Sequence, residues 1–271
     1  MEYNNSTIKK MYHGNSLVNM AVASGGEIDM PANLSAAEFD DYGRMVSFTI
    51  KNGVTSIPNN YQSNNISLTS CTIPSSVTDI GISAFSSTGI HNGGGANTMF
   101  DVSNIDLSNV SGNTSFSSIF SNSCLKGSIT IPNKLLTGST SGYTTACYGL
   151  FSNSYSPNDN GSTLNINVYA DNVVIPRNSF NLSYASNYSD GLRLTIYGTP
   201  TFLSSACICC STGGTVTFAD CTTPPVAPAY DTSYNSPFYN FKGTLYVPSA
   251  GLSAWKTKYS SISSQIKAIG T

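Results

Sequence analysis

The sequence predicts a mainly β protein built as a solenoid, a stack of repeated coils, and three observations carry that expectation. One phrase returns at a fixed interval, small polar residues far outnumber charges, and short β-type apolar runs recur along the chain. Laying "FTIKNGVTSIPNNYQSNNISLTS" from Phe48 over "CTIPSSVTDIGISAFSSTGI" from Cys71 sets Thr49 on Thr72, Ile50 on Ile73, Val54 on Val77 and Ile57 on Ile80, an interval of 23 residues. A repeat of that length marks a solenoid, because one unit cannot bury its own apolar face and each must stack on the next. The composition agrees with stacking. Coils lie about 4.8 Å apart, so a residue type kept at one position forms a ladder. Like charges in a ladder repel, whereas Ser, Thr and Asn hydrogen-bond to the neighbours above and below.

Taken in order, residues 1–45 stand outside the repeat. "TIKKMYHGNSLVNMAV" reads as two short strands joined at His13-Gly14-Asn15, and "SAAE" from Ser35 to Glu38 reads as a capping box opening a short helix that stops near Gly43. This segment is either a cap or a docking element. Residues 46–248 form the repeat region. Thr-Ile supplies a short strand, Pro or Gly turns the chain, and an aromatic closes each coil. Echoes follow at "SITIPNKLL", "LNINVYADNVVIPRNSF", "LRLTIYG", "TVTFADC" and "GTLYVPS", giving roughly eight irregular coils. "HNGGGANTMF" from His91 reads as a flexible insertion between coils. In residues 249–271, Leu252, Trp255, Tyr259, Ile262, Ile266 and Ile269 fall at steps of three and four. They predict one or two short helices with Ser249 as N-cap, folded as a lid over the last coil.

Several function classes lose support at this level. Charged residues make up 10% of the chain, 12 basic against 14 acidic, so bulk electrostatics attracts neither nucleic acid nor an anionic membrane. The opening has no apolar run of signal-peptide type and the chain no apolar stretch of about 20 residues, so neither general secretion nor membrane insertion is expected. Seven cysteines without such a signal read as free, mostly buried thiols. His13 and His91 have no histidine or cysteine at ligand spacing, and "CICC" from Cys207 to Cys210 lacks paired CxxC spacing, although Cys221 is near enough to join a site. No metal or cofactor is expected. Solenoids can cleave polysaccharides, and Asp101 with Asp106, or Asp171 with Asp190, are the carboxylate pairs that would serve; turn formation is the ordinary role of such aspartates.

Tyrosines interleaved with Asn and Ser offer a flat apolar surface with polar handles. The candidate ligand or partner contacts are Tyr143, Tyr148, Tyr184, Tyr188, Tyr230, Tyr234, Phe238 and Tyr239, with core aromatics that close coils as the alternative.

"TIPSSVTDIGISAF" from Thr72 to Phe85, with "LYVPSAGLSAWKTKY" from Leu245 to Tyr259, resembles the BspA-type leucine-rich-repeat family, in which TIPxSVTxIGxxAF coils end in a YVP segment and an amphipathic tail. The match covers Val46–Gly89 and Gly243–Ile269, and the middle is degenerate. The resemblance implies a leucine-rich-repeat-like right-handed solenoid with a small N-terminal hairpin and a helical C-terminal cap, acting as an adhesin or binding scaffold and not as an enzyme. "IKKMYHGNSLVNMAV" resembles a segment near the start of phage virion proteins, which implies docking through Ile8, Met11, Tyr12, Leu17 and Val18. Together these imply a bacteriophage virion protein, a capsid or tail appendage made in the host cytoplasm. Its expected partners are other virion proteins and a host surface glycan or protein, and a homo-oligomer such as a trimer is compatible. The alternatives are a bacterial cell-surface adhesin and a glycan depolymerase.

Overall fold

Alternation of apolar and polar residues fixes the strands. In "LNINVY" Leu164, Ile166 and Val168 are buried, whereas Asn165, Asn167 and Tyr169 point the other way. The computed structural model describes residues 11–13, 16–18, 33–40, 43–89, 98–111, 116–137, 147, 149–152, 154, 162–176, 178–181, 191–202, 207–209, 213–225, 236–238 and 241–271.

The predicted hairpin forms: β1 (Met11–His13) runs antiparallel to β2 (Ser16–Val18), with His13 facing Ser16. Then come β3 (Leu34–Phe39), β4 (Met45–Ile50), β5 (Ser56–Ile57), β6 (Ser70–Thr72), β7 (Asp79–Ile80), β8 (Phe100–Asp101) and β9 (Leu125–Ile131). A short helix, α1 (Asn133–Leu136), precedes β10 (Leu164–Tyr169), β11 (Val174–Ile175), β12 (Phe180–Asn181), β13 (Leu192–Tyr197), β14 (Thr201–Phe202) and β15 (Ile208–Cys209). β16 (Thr215–Phe218), β17 (Thr244–Val247), α2 (Leu252–Lys258) and β18 (Ile266–Ala268) complete the chain.

The protein is mainly β, dominated by one mixed sheet of ten strands in the order β18-β17-β16-β13-β10-β9-β8-β6-β4-β3. Neighbours in it are parallel except for the edge pair β3–β4, which is antiparallel. Three short parallel pairs, β5–β7, β11–β14 and β12–β15, join the segments between these strands. Thr49 faces Thr72 and Ile57 faces Ile80, the same pairs the sequence repeat superposes. Elsewhere the step from strand to strand varies, from Leu245 to Ile266 at the short end to Ile129 to Ile166 at the long end.

Behind the sheet runs an aromatic column. The Phe85 N–H donates to Ile119 O, Phe120 to Leu150 O, Phe151 to Ser179 O and Phe180 to Cys207 O, so these four phenylalanines lie one above another. Their rings stack at centroid distances of 6.0, 5.3 and 6.0 Å. Each is fully buried, a contribution of about 1.5–3 kcal/mol per side chain. Two positions before these phenylalanines the backbone is left-handed at Ser83, Ser118, Gly149 and Asn178, and two positions after at Ser87 and Asn122; Asn60 and Asn64 flank Gln62 in the same way, at the level that precedes Phe85. A side chain there is tolerated best when short and polar, which accounts for the Ser and Asn at these positions.

Three residues after Phe85, Phe120 and Phe151 stands a buried hydroxyl, Thr88, Ser123 and Ser154 in turn. Ser123 Oγ accepts the Thr88 N–H at 3.1 Å and donates to Phe85 O at 3.0 Å, and Ser154 repeats both roles with the Ser123 N–H and Phe120 O. The ladder of uncharged polar groups expected from composition therefore lies inside the protein as well as on it.

Two expectations are corrected. "SAAE" is strand, not helix: Leu34–Phe39 covers the edge of β4, burying Leu34 and Phe39 at its two ends. Glu38 accepts the Ser47 hydroxyl at 2.8 Å across the pair instead of closing a capping box, and Gly43 (φ +74°) sits in the connecting turn. Pairing an otherwise bare edge outweighs a local capping signal. At the other end Ser249 caps nothing, because it begins a 3-10 turn, Ser249–Gly251, that runs directly into α2. The helix stops at Lys258, and Ile266 belongs to β18, where it extends the sheet, while Ile269 is exposed. The lid itself is present. Trp255 packs on Phe218 at 4.7 Å and donates its indole N–H to Cys221 O at 2.9 Å, and the Tyr259 hydroxyl donates to Pro225 O at 2.9 Å.

Candidate interaction surface

Burial separates the two faces of the ten-stranded sheet: inward positions are almost fully covered, and outward ones are mostly hydroxyls, amides and tyrosines, with Glu38, Asp101, Lys126, Arg193 and Lys267 as the charged exceptions. Across β3 to β9 the outward face is concave. A groove of about 600 Å3 is lined by Thr72, Ser103, Asp106, Ser128, Thr130 and Pro132 among others. A second, of about 570 Å3, runs over Ser35, Glu38, Ser47, Thr49 and Ser70, and Thr72 borders both. Close approach shapes this floor. A Cβ on Gly127 (φ +95°) would meet Asp101 Oδ1 and Ser103 Oγ at 2.3 Å, so only glycine lets that turn lie against β9.

Beyond the groove the face carries aromatics. Tyr169 faces Tyr197 in register, and their rings stack at 5.0 Å with planes 17° apart. Tyr169 is 49% exposed. Tyr246, in register with Thr217, adds a third tyrosine on the same face. None of these was among the predicted contacts, yet the signal was present. In "LNINVY", "LRLTIY" and "TLYV" each tyrosine falls out of phase with the buried Leu, Ile and Val, and period-two parity alone puts it outside.

Of the predicted contacts, Tyr143, Tyr148, Tyr184, Tyr188, Tyr230, Tyr234 and Tyr239 lie outside the described residues, as does Ile8 among the docking residues. Met11, Tyr12, Leu17 and Val18 lie on the β1–β2 hairpin. Phe238 is 2% exposed, and this removes it from any surface. Ile208 faces Phe180 and its N–H donates to Pro237 O, which sets Phe238 two levels beyond Phe180 with Ile208 between, where it meets Tyr259 at 4.9 Å and Phe241 at 5.6 Å. It is a core aromatic, the alternative role considered for it.

No family model matches the chain, and no curated protein matches it.

The ionisable groups that sequence singled out are held by the fold. Asp101 Oδ1 accepts the Ser103 N–H at 2.9 Å and Asp106 Oδ1 the Ser108 N–H at 2.8 Å, as turn-forming aspartates do. Asp171 accepts the Thr199 hydroxyl at 3.2 Å, and Asp190 lies outside the described residues. Cys71, Cys124, Cys147, Cys207 and Cys221 are buried. Burial, with a smaller contribution from Asp101, pushes the Cys71 thiol well up; burial alone raises Cys147; burial and then Asp220 raise Cys221 to about 11. Among the described residues no three of His, Cys, Asp and Glu converge on a point that could hold a metal ion, and no helix is long and apolar enough to cross a membrane. The described part of this face presents hydroxyls and amides beside aromatic rings.

Proposed function

We propose that this chain is a non-enzymatic structural and binding protein of a bacteriophage particle, a capsid or tail appendage. In this reading the strand stack is a leucine-rich-repeat-like solenoid of the BspA type, rooted on the virion through residues 1–45 and presenting its sheet face to a neighbouring subunit or a host surface. The observation that carries it is the sheet itself. Successive segments add strands in chain order, behind which aromatics and hydroxyls are spent on stacking, and the outward face is left mostly polar, with scattered charges of both signs and exposed tyrosine. Such a face suits recognition by many weak contacts over an extended length. The hairpin β1–β2 forms a sheet of its own, which fits a docking element.

Cryo-electron microscopy of purified particles, with mass spectrometry of their proteins, tests the reading. Density for a stacked rod joined to a capsid or tail protein through residues before Val46 is the expected result. Absence of the chain from particles, with its presence on intact uninfected cells, would replace this reading with that of a bacterial surface adhesin.

A further inference from the structure

The strand registers align one outward row across six strands: Pro132, Tyr169, Tyr197, Ala219, Pro248 and Ile269. Val168 faces Ile131, Tyr169 faces Tyr197, Ile196 faces Phe218, Thr217 faces Tyr246 and Val247 faces Ala268, so each member of the row lies beside the next. The Ala219 N–H donates to Ile196 O and the Ile269 N–H to Val247 O, both at 2.9 Å, which carries the alignment past the strand ends.

Within this row Tyr169 and Tyr197 cover one face of each other. The other face of Tyr197 looks over Ala219, whose methyl group is too short to reach it. The next side chain, Pro248, stands two strand spacings from Tyr197, about 10 Å. These registers imply a slot between the Tyr197 ring and Pro248, with Ala219 between them, about the width of one six-membered ring lying against the tyrosine. The adjacent row on the same strands reads Thr195, Thr217, Tyr246 in register, a line of hydroxyls along one side of the slot. From β9 to β17 these two rows contain no charged residue. Around the slot the exposed carboxylates Asp171 and Asp220 are balanced by Arg193, two residues before Thr195, and by Lys267, in register beside Tyr246, so the surroundings favour neither an anion nor a cation.

A ligand that matches has a flat apolar face, a polar edge and no net charge. We propose that the slot binds one ring of a neutral saccharide chain, with its C–H face on Tyr197 and its hydroxyls on Thr195, Thr217 and Tyr246. The proposal deepens the reading of the sheet as a recognition face and rests on it. It also explains why an aromatic pair this exposed is flanked by an alanine: a larger residue would close the slot.

The test applies the purified full chain to an array of neutral hexasaccharides (α- and β-glucans, mannans and N-acetylhexosamine chains) with hyaluronate and heparin alongside, followed by calorimetry on whatever binds. Tyr197→Ala and Ala219→Tyr are each expected to weaken binding of a neutral saccharide at least tenfold, and Tyr246→Phe about threefold. Ala219→Tyr keeps the tyrosine pair and fills only the slot, so its thermal midpoint is expected to stay at or above the parent value. No binding to any neutral saccharide, binding to the anionic polymers alone, or binding that survives Ala219→Tyr would each overturn the proposal. Self-association lost in these variants, in place of saccharide binding, would overturn it in favour of a contact between copies. Incorporation of the chain into particles is scored separately, so a failure of the particle reading remains distinct from a failure of the slot.

Discussion

Gly81 is glycine because Asn59 already occupies the space a side chain would need: a Cβ there would meet the Asn59 N and Oδ1 at 2.4 Å. The Gly81 N–H donates to Ile57 O, and the Ile82 N–H to Asn59 Oδ1, so the close approach is made by the same bonds that join these two levels. Gly81→Ala is expected to cost roughly 1–3 kcal/mol, read as a fall in urea midpoint, since the obstruction includes backbone that cannot step aside. Ser123 acts through hydrogen bonding instead of space. Ser123→Ala leaves Phe85 O with one bond fewer and removes the acceptor of the Thr88 N–H in a buried site, a loss of about 1–3 kcal/mol, whereas Ser123→Thr, which keeps the hydroxyl, is expected to recover part of it. The buried thiol of Cys221 sets a pH dependence. In the unfolded chain a thiol ionises near ~8.5, while burial and Asp220 hold the folded one to about 11. The folded state then keeps a proton that the unfolded state has lost, so its contribution is complete below the unfolded value and disappears as pH climbs through the folded one. Urea midpoints are expected to fall between pH 8.5 and 11, a fall to which the buried Cys71 and Cys147 also contribute, and Cys221→Ala to make it shallower; an unchanged slope would remove Cys221 from the account.

At the scale of elements, the ends of the sheet are closed by different means. The β4 edge is covered by an antiparallel strand, and the last levels of the core by Trp255 and Tyr259 before β18 adds one more parallel strand. Trp255→Ala opens a cavity against Phe218 and strands the Cys221 carbonyl, and is expected to cost about 3–5 kcal/mol. Trp255→Phe keeps most of the packing and isolates the hydrogen bond. What was legible in the sequence divides along the same lines. The parity of "LNINVY" and "LRLTIY" fixed both strands and their buried faces, because a half-buried strand admits only one phase. "SAAE" misled because a capping box is a local signal, and the decisive partner of Leu34–Phe39 lies on β4. Ile266 misled similarly. Its spacing from Ile262 fits a helix face, but Tyr259 leaves helical geometry (φ −113°, ψ 57°) and the open edge of β17 takes the residues beyond.

For the whole molecule, the interval of 23 residues was legible only where two successive levels keep it, and the later levels are joined by connections of unequal length that leave strand parity untouched. Position along the stack is therefore poorly encoded by spacing and well encoded by the buried column. The candidate surface followed the same rule: its tyrosines lie on regular strands, where parity alone puts them outside. Strand order has one further mechanical consequence. In the large sheet each strand pairs with its neighbours along the chain, so a local defect reaches distant strands only through those between. Phe151 sits in mid-column between Phe120 at 5.3 Å and Phe180 at 6.0 Å, while Trp255 sits at the C-terminal end. Phe151→Ala is expected to raise amide hydrogen exchange in β9, β10 and β12 and to broaden the urea transition by letting the two halves open separately. Trp255→Ala is expected to raise exchange first in β16–β18 and to leave β9 and β10 close to the parent rate. Hydrogen-exchange mass spectrometry resolves these strands. If both substitutions speed exchange equally from β4 to β18, the chain opens as one cooperative unit and the neighbour-by-neighbour account fails.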